Sequence, residues 1–148
     1  DGGAAAHAAI AAMRETLRAL SAEAASAAAQ DRAGLGLLRD NFDAAIQAYE
    51  AGVAFILEQS AANVRAAYSS SVPYLMLAGV THGGWQMARA VLACRRHLAG
   101  GSTDPFHASK IATGLFYGAH ILPRALALSA AVRAGVVADA CGASLNIA

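Results

Sequence analysis

Five histidines, two cysteines and ten carboxylates are the side chains of this 148-residue chain best suited to chemistry. A carboxylate metal pair in a helical bundle needs Glu-x-x-His on facing helices. Three residues after Glu15, Glu23, Glu50 and Glu58 stand Arg18, Ser26, Val53 and Ala61 instead. His7, His82, His97, His107 and His120 share no short ligand spacing. A nucleophile is no better supported. There is no G-x-S-x-G elbow, and Ser129 and Ser144 lie in Ala-rich surroundings without a nearby base. Cys94 and His97 are one helical turn apart, a spacing that could lower a thiol pKa. The reading adopted is a packed Cys94 with an exposed His97 beside Arg95 and Arg96. No glycine pattern follows a strand and opens a helix, so there is no dinucleotide fingerprint. The sequence therefore assigns no catalytic, cofactor-binding or metal-binding residue.

Gly83, Gly84 and Trp85 are the exception to this silence. Two adjacent glycines inside a helix cost about 0.8–1 kcal/mol each relative to Ala. One explanation is close backbone approach of another helix, with Trp85 filling the adjacent space. The other is a groove for an apolar ligand tail. A pocket needs convergent polar groups, and only His82 and Gln86 are at hand. Gly83, Gly84 and Trp85, with Tyr117 and Pro123 on a later helix, are therefore expected to be helix-packing residues.

The elements that would position them are all helical. Ile10, Met13, Leu17 and Leu20 mark one face of a first helix over 3–29, ending near Gln30. Residues 32–68 carry a near-heptad seam of Leu35, Leu38, Phe42, Ala45, Tyr49, Gly52, Ile56 and Asn63, widened by Ile46, Val53 and Val64. Arg39, Asp40, Asp43, Gln47, Glu50 and Glu58 face the other way. The stripe, with Leu38 and Leu57 at its edges, is wide enough to predict a homo-oligomer, unless Ala-rich neighbours bury it within one monomer. Ser69–Ser71 should cap a third helix with Pro73 in its first turn, running to about Leu98 and stopped by Gly100 and Gly101. Thr103 or Asp104 should cap the fourth, with Pro105 in its first turn. Pro123 cannot donate to the carbonyl of Ala119 and should kink that helix before it continues to about Ala134. Residues 135–148 have no period and read as a loosely held tail. The expected fold is an all-α antiparallel bundle of about four helices over residues 1–134, the last kinked at Pro123.

Composition agrees with tight helix packing. The classes AVILMFWYC supply 57% of the chain, much of it Ala, and aromatics only 6%. The formal charge is +1, with Arg95, Arg96 and His97 the only basic cluster, which argues against a nucleic-acid partner. Cys94 and Cys141 lie outside any CxxC and no secretory signal precedes them, so both read as thiols in a reducing, cytoplasmic compartment. Val72–Ala88 holds no Asp, Glu, Lys or Arg, but it is shorter than the roughly 20 residues of a membrane span and contains Pro73, Gly83 and Gly84. It reads as a core helix, and no transmembrane segment is expected. The chain begins at Asp1 without Met, which reads as a fragment, a processed product or an incomplete start.

The run Pro73-Tyr74-Leu75-Met76-Leu77-Ala78-Gly79, followed by Gly83-Gly84-Trp85-Gln86-Met87-Ala88-Arg89-Ala90, resembles the C-terminal domain of one group of bacterial acyl-CoA dehydrogenases, the methylthiopropanoyl-CoA dehydrogenase-like group. Lys110-Ile111-Ala112-Thr113, Phe116-Tyr117 and His120-Ile121-Leu122-Pro123-Arg124-Ala125 carry the same resemblance, and Asp1-Gly2-Gly3-Ala4-Ala5 looks like the junction with a catalytic body. The resemblance implies a parent enzyme that removes two hydrogens from an acyl-CoA thioester with FAD and a catalytic glutamate, both upstream of this segment. No cofactor is implied in the segment itself. Its implied partners are the catalytic domains of the parent, which it would cover or pair with, and it would help set oligomeric state. In longer-chain relatives an added C-terminal helical domain takes the place of a second dimer. The alternative is a free-standing helical module that presents an amphipathic face to a protein partner or a membrane.

Overall fold

Ala-rich segments with an apolar residue every third or fourth position have one stable outcome, helices packed on helices. The computed structural model describes residues 2–144. Four long helices run alternately up and down: α1 (Ala4–Ser26), α2 (Ala29–Ala62), α4 (Ser71–Ala99) and α5 (Pro105–His120). Three shorter ones complete the body: α3 (Val64–Ser69), α6 (Arg124–Arg133) and α7 (Gly135–Ser144). There is no strand among the described residues.

The central rod is α2, whose 34 residues span about 50 Å at 1.5 Å per residue. Its seam builds the core. Leu35, Leu38, Phe42, Ala45, Ile46, Tyr49 and Val53 are all buried within the monomer. From Leu35 to Val53 the stripe expected to drive self-association is thus internal, covered by α1, α4, α5 and α6, while Leu57 and Val64 at its far end stay exposed. Further apolar surface is exposed elsewhere, as described below.

Several boundaries move from the sequence reading. The first helix ends at Ser26, because Ala27 and Ala28 adopt extended backbone and α2 already starts at Ala29. Helix 32–68 is not continuous. At Asn63 (φ −150°, ψ 86°) the chain breaks, and the Asn63 side chain accepts from the backbone N–H of Ala66 to cap α3. Asn63 had been placed in the apolar seam; its amide competes for the backbone instead. Ser70 stands at the cap position of α4 but makes no side-chain cap, its Oγ donating to the carbonyl of Val132 at 2.6 Å. Residues from Gly135 to Ser144 form α7, where a loose tail over 135–148 was expected; residues 145–148 lie outside the described residues. Gly135 lies against Ser70 and the Ala66 carbonyl, too close for any Cβ, so contact with α3 holds a segment that lacks its own period.

Other signals act as the sequence suggests. Asp104 Oδ1 accepts from the Phe106 N–H at 2.8 Å, with Pro105 in the first turn of α5. Gly100 and Gly101 end α4, the latter at φ 87°, where a Cβ would be strained. At Ile121–Pro123 the last long helix breaks and turns by 42° into α6. No single helix among the described residues is long and apolar enough to cross a membrane; the bent α5–α6 pair passes by length and composition alone, and it packs on α2 and α4.

Candidate functional site

The helix-packing residues converge where α4 meets α5. A Cβ on Gly83 would collide with Tyr117 Oη and stand 3.0 Å from its Cζ; a Cβ on Gly84 would collide with Leu122 Cδ2 and stand 3.0 Å from its Cγ. Tyr117 lies across the helix and its hydroxyl donates to the Val80 carbonyl at 3.0 Å. Burial pushes the Tyr117 phenol above its ordinary pKa. Pro123 caps α6 and turns the chain so that fully buried Leu122 seats on Gly84. The sequence reading passed over a second pair, Gly114 and Gly118. Gly114 takes Val91 of α4, and Gly118 lets α5 approach the α2 backbone, with Leu38 Cα 3.1 Å from where a Cβ would sit. Their spacing of four, which places both on one helix side, was the available signal. Asn41 seals this contact by donating to the Gly118 carbonyl at 2.9 Å.

Trp85 joins a different neighbour. Its Nε1 donates to Thr16 Oγ1 of α1 at 2.8 Å. Arg89 lies over its ring, 5.5 Å from the centroid. His82 meets Trp85 on one side and Tyr49 on the other, both edge-on, and Tyr49 stacks on Tyr74. Tyr74 is pushed up to about 12, first by burial and then by its hydrogen bond with Tyr49. This aromatic row ties α1, α2 and α4 together.

The opposite end is tied by charge. Arg95 pairs with Glu23 of α1 and, at 2.8 Å, with Asp31 of α2. Those two carboxylates raise the Arg95 pKa further, against the smaller effect of burial. A guanidinium fork can serve two carboxylates at once, so one side chain joins three helices.

Among the described residues no three His, Cys, Asp or Glu side chains converge as metal ligands. Cys94 is buried, and His97 turns instead to His107, stacked in parallel at 4.8 Å between ring centroids. A groove of about 570 Å³ between α1 and α4 is lined by Ala19, Ala90 and Ala93 with Gln86, Arg89 and Arg96. All its lining residues lie inside helices, where their N–H groups already serve the helix, so no backbone N–H there is free to cradle a phosphate.

Apolar side chains reach solvent at one end of the bundle. Val64, Tyr68, Val72, Leu75 and Met76 are 49, 73, 66, 72 and 55% exposed. They follow one face of α3 and the first turns of α4. A groove of about 510 Å³ lies beside them, lined by Ile56, Ser60, Ala67 and Tyr74.

Residues 4–138 match the family described as "Acetyl-CoA dehydrogenase C-terminal like". Over 75 residues the chain is 36% identical to 3-methylmercaptopropionyl-CoA dehydrogenase of Ruegeria pomeroyi. That match covers 51% of this chain but only 13% of the relative's length. No solved structure matches.

Proposed function

The chain belongs to the acetyl-CoA dehydrogenase C-terminal-like family, and from that premise we propose that it is the accessory helical domain of an FAD-dependent acyl-CoA dehydrogenase. The parent enzyme oxidises an acyl-CoA thioester at its α and β carbons, and this domain packs on the catalytic body and shapes oligomerisation. The observation that carries the reading is the family match from residue 4 to residue 138, which takes in α1 to α6. The similar Ruegeria pomeroyi protein, by its name a CoA-thioester dehydrogenase, supports the substrate class.

Neither a helix N-terminus nor a glycine turn lines the grooves beside α1 and α4, so their backbone offers a flavin pyrophosphate no free N–H. FAD and the catalytic carboxylate are therefore assigned to the upstream body. The described residues give that body a rigid neighbour, held together by interlocked glycines and the Arg95 fork.

The test is the encoded protein itself. Its reading frame should continue upstream of Asp1 into a flavin-binding dehydrogenase, and the full-length protein should purify with about one FAD per chain. The 148-residue chain should carry none. A frame without such a body, or stoichiometric flavin on the 148 residues alone, rejects the proposal.

A further inference from the structure

Resting on that reading, we propose that the exposed apolar face of α3 and early α4 is the surface on which the upstream catalytic body docks. Val64, Tyr68, Val72 and Leu75 recur at spacings of four, four and three, so they share one helical face across the Ser70 junction. Val64 is 49% exposed and the other three more than half. Between Arg65 and Arg89 the sequence holds no Asp, Glu, Lys or Arg. A contiguous uncharged surface of this kind, with an aromatic at its centre, has the composition of an interface core.

Where the chain enters says which partner covers it. Gly3 sits against Leu57: a Cβ there would stand 2.9 Å from Leu57 Cδ1. Leu57 is at the end of α2 that adjoins the groove of Ile56, Ser60 and Tyr74. The start of α1, the end of α2, α3 and the start of α4 therefore share one end of the bundle. A body that precedes α1 is joined at this end through Gly2 and Gly3, both at positive φ. A body joined at this end enters on the side of the bundle that carries the apolar face, away from the Phe106 end. A second copy of the chain has no such tether.

The experiment is hydroxyl-radical footprinting of the full-length protein. Tyr68, Leu75 and Met76 should react about five-fold or more below what their exposure in this domain implies, as for surface packed like a protein interior. Phe106, 59% exposed at the far end, should react as an exposed ring. Leu75→Glu in the full-length protein should restore the labelling of Tyr68 and Met76. Full labelling of the three residues in a protein that does carry the dehydrogenase body overturns the docking surface and leaves the domain assignment standing. Protection that disappears on dilution assigns the face to a second copy and overturns it too. A frame with no dehydrogenase body removes both proposals together.

Discussion

Gly79 and Gly84, five positions apart in α4, should respond in opposite ways to the same methyl group. Nothing lies within 4 Å of a Cβ at exposed Gly79, so Gly79→Ala should stabilise the chain by about 0.4–1 kcal/mol. At Gly84 the same Cβ meets Leu122, which is fully buried and has little room to yield. Gly84→Ala should therefore cost about 1–3 kcal/mol, outweighing the propensity gain that sequence alone would suggest. Thermal melts of the two variants decide this, and a Gly84→Ala melting above the parent would refute the contact. Tyr74 gives a pH signature. Folding raises its phenol from 10.0 to about 12, so its contribution is complete below pH 10 and is lost as pH rises toward 12. The melting temperature should fall over that window, less steeply in Tyr74→Phe. An equally steep fall in the variant would place the titration elsewhere.

Helix junctions are where sequence and structure part most clearly. Asp104–Pro105, Gly100–Gly101 and Pro123 were legible because each acts on its own backbone. The Ala27–Ala28 link was not, since alanine carries no breaker signal and only packing makes it extended. Ser70 looked like a cap, yet a carbonyl 62 residues away claims its hydroxyl. Such long-range claims have no local signature. Nor has the fork at Arg95, whose two acids lie 72 and 64 residues distant. Arg95→Met should leave Glu23 and Asp31 without their partner and cost about 1.5–3 kcal/mol. Arg95→Lys keeps the charge but loses the fork, so it should recover only part of that. If denaturant midpoints for both variants equal the parent's, the three-helix tie contributes nothing.

The whole bundle was legible in class and rough topology, because a seam as regular as Leu35, Leu38, Phe42, Ala45 and Tyr49 has few ways to be buried. Its outer surface was not. The same periodicity that marks a stripe as apolar cannot tell whether neighbours or a partner cover it, and here neighbours do. A cluster of exposed apolar side chains lies instead in Val64–Met76, a stretch that reads as ordinary core when taken alone. The α4–α5 hairpin closes through only Ser102–Asp104 and the two glycines before them, whereas α1 reaches Trp85 across 69 residues. Short loops close at small entropic cost, so this hairpin and the α1–α2 hairpin, joined by Ala27–Ala28, should form early and the contact of α1 with α4 should form late. In stopped-flow kinetics Gly114→Ala, which crowds Val91 within the hairpin, should slow refolding. Thr16→Val, which removes the acceptor of Trp85, should chiefly speed unfolding. A refolding rate untouched by Gly114→Ala would take the α4–α5 hairpin out of the nucleus and leave α1 with α2.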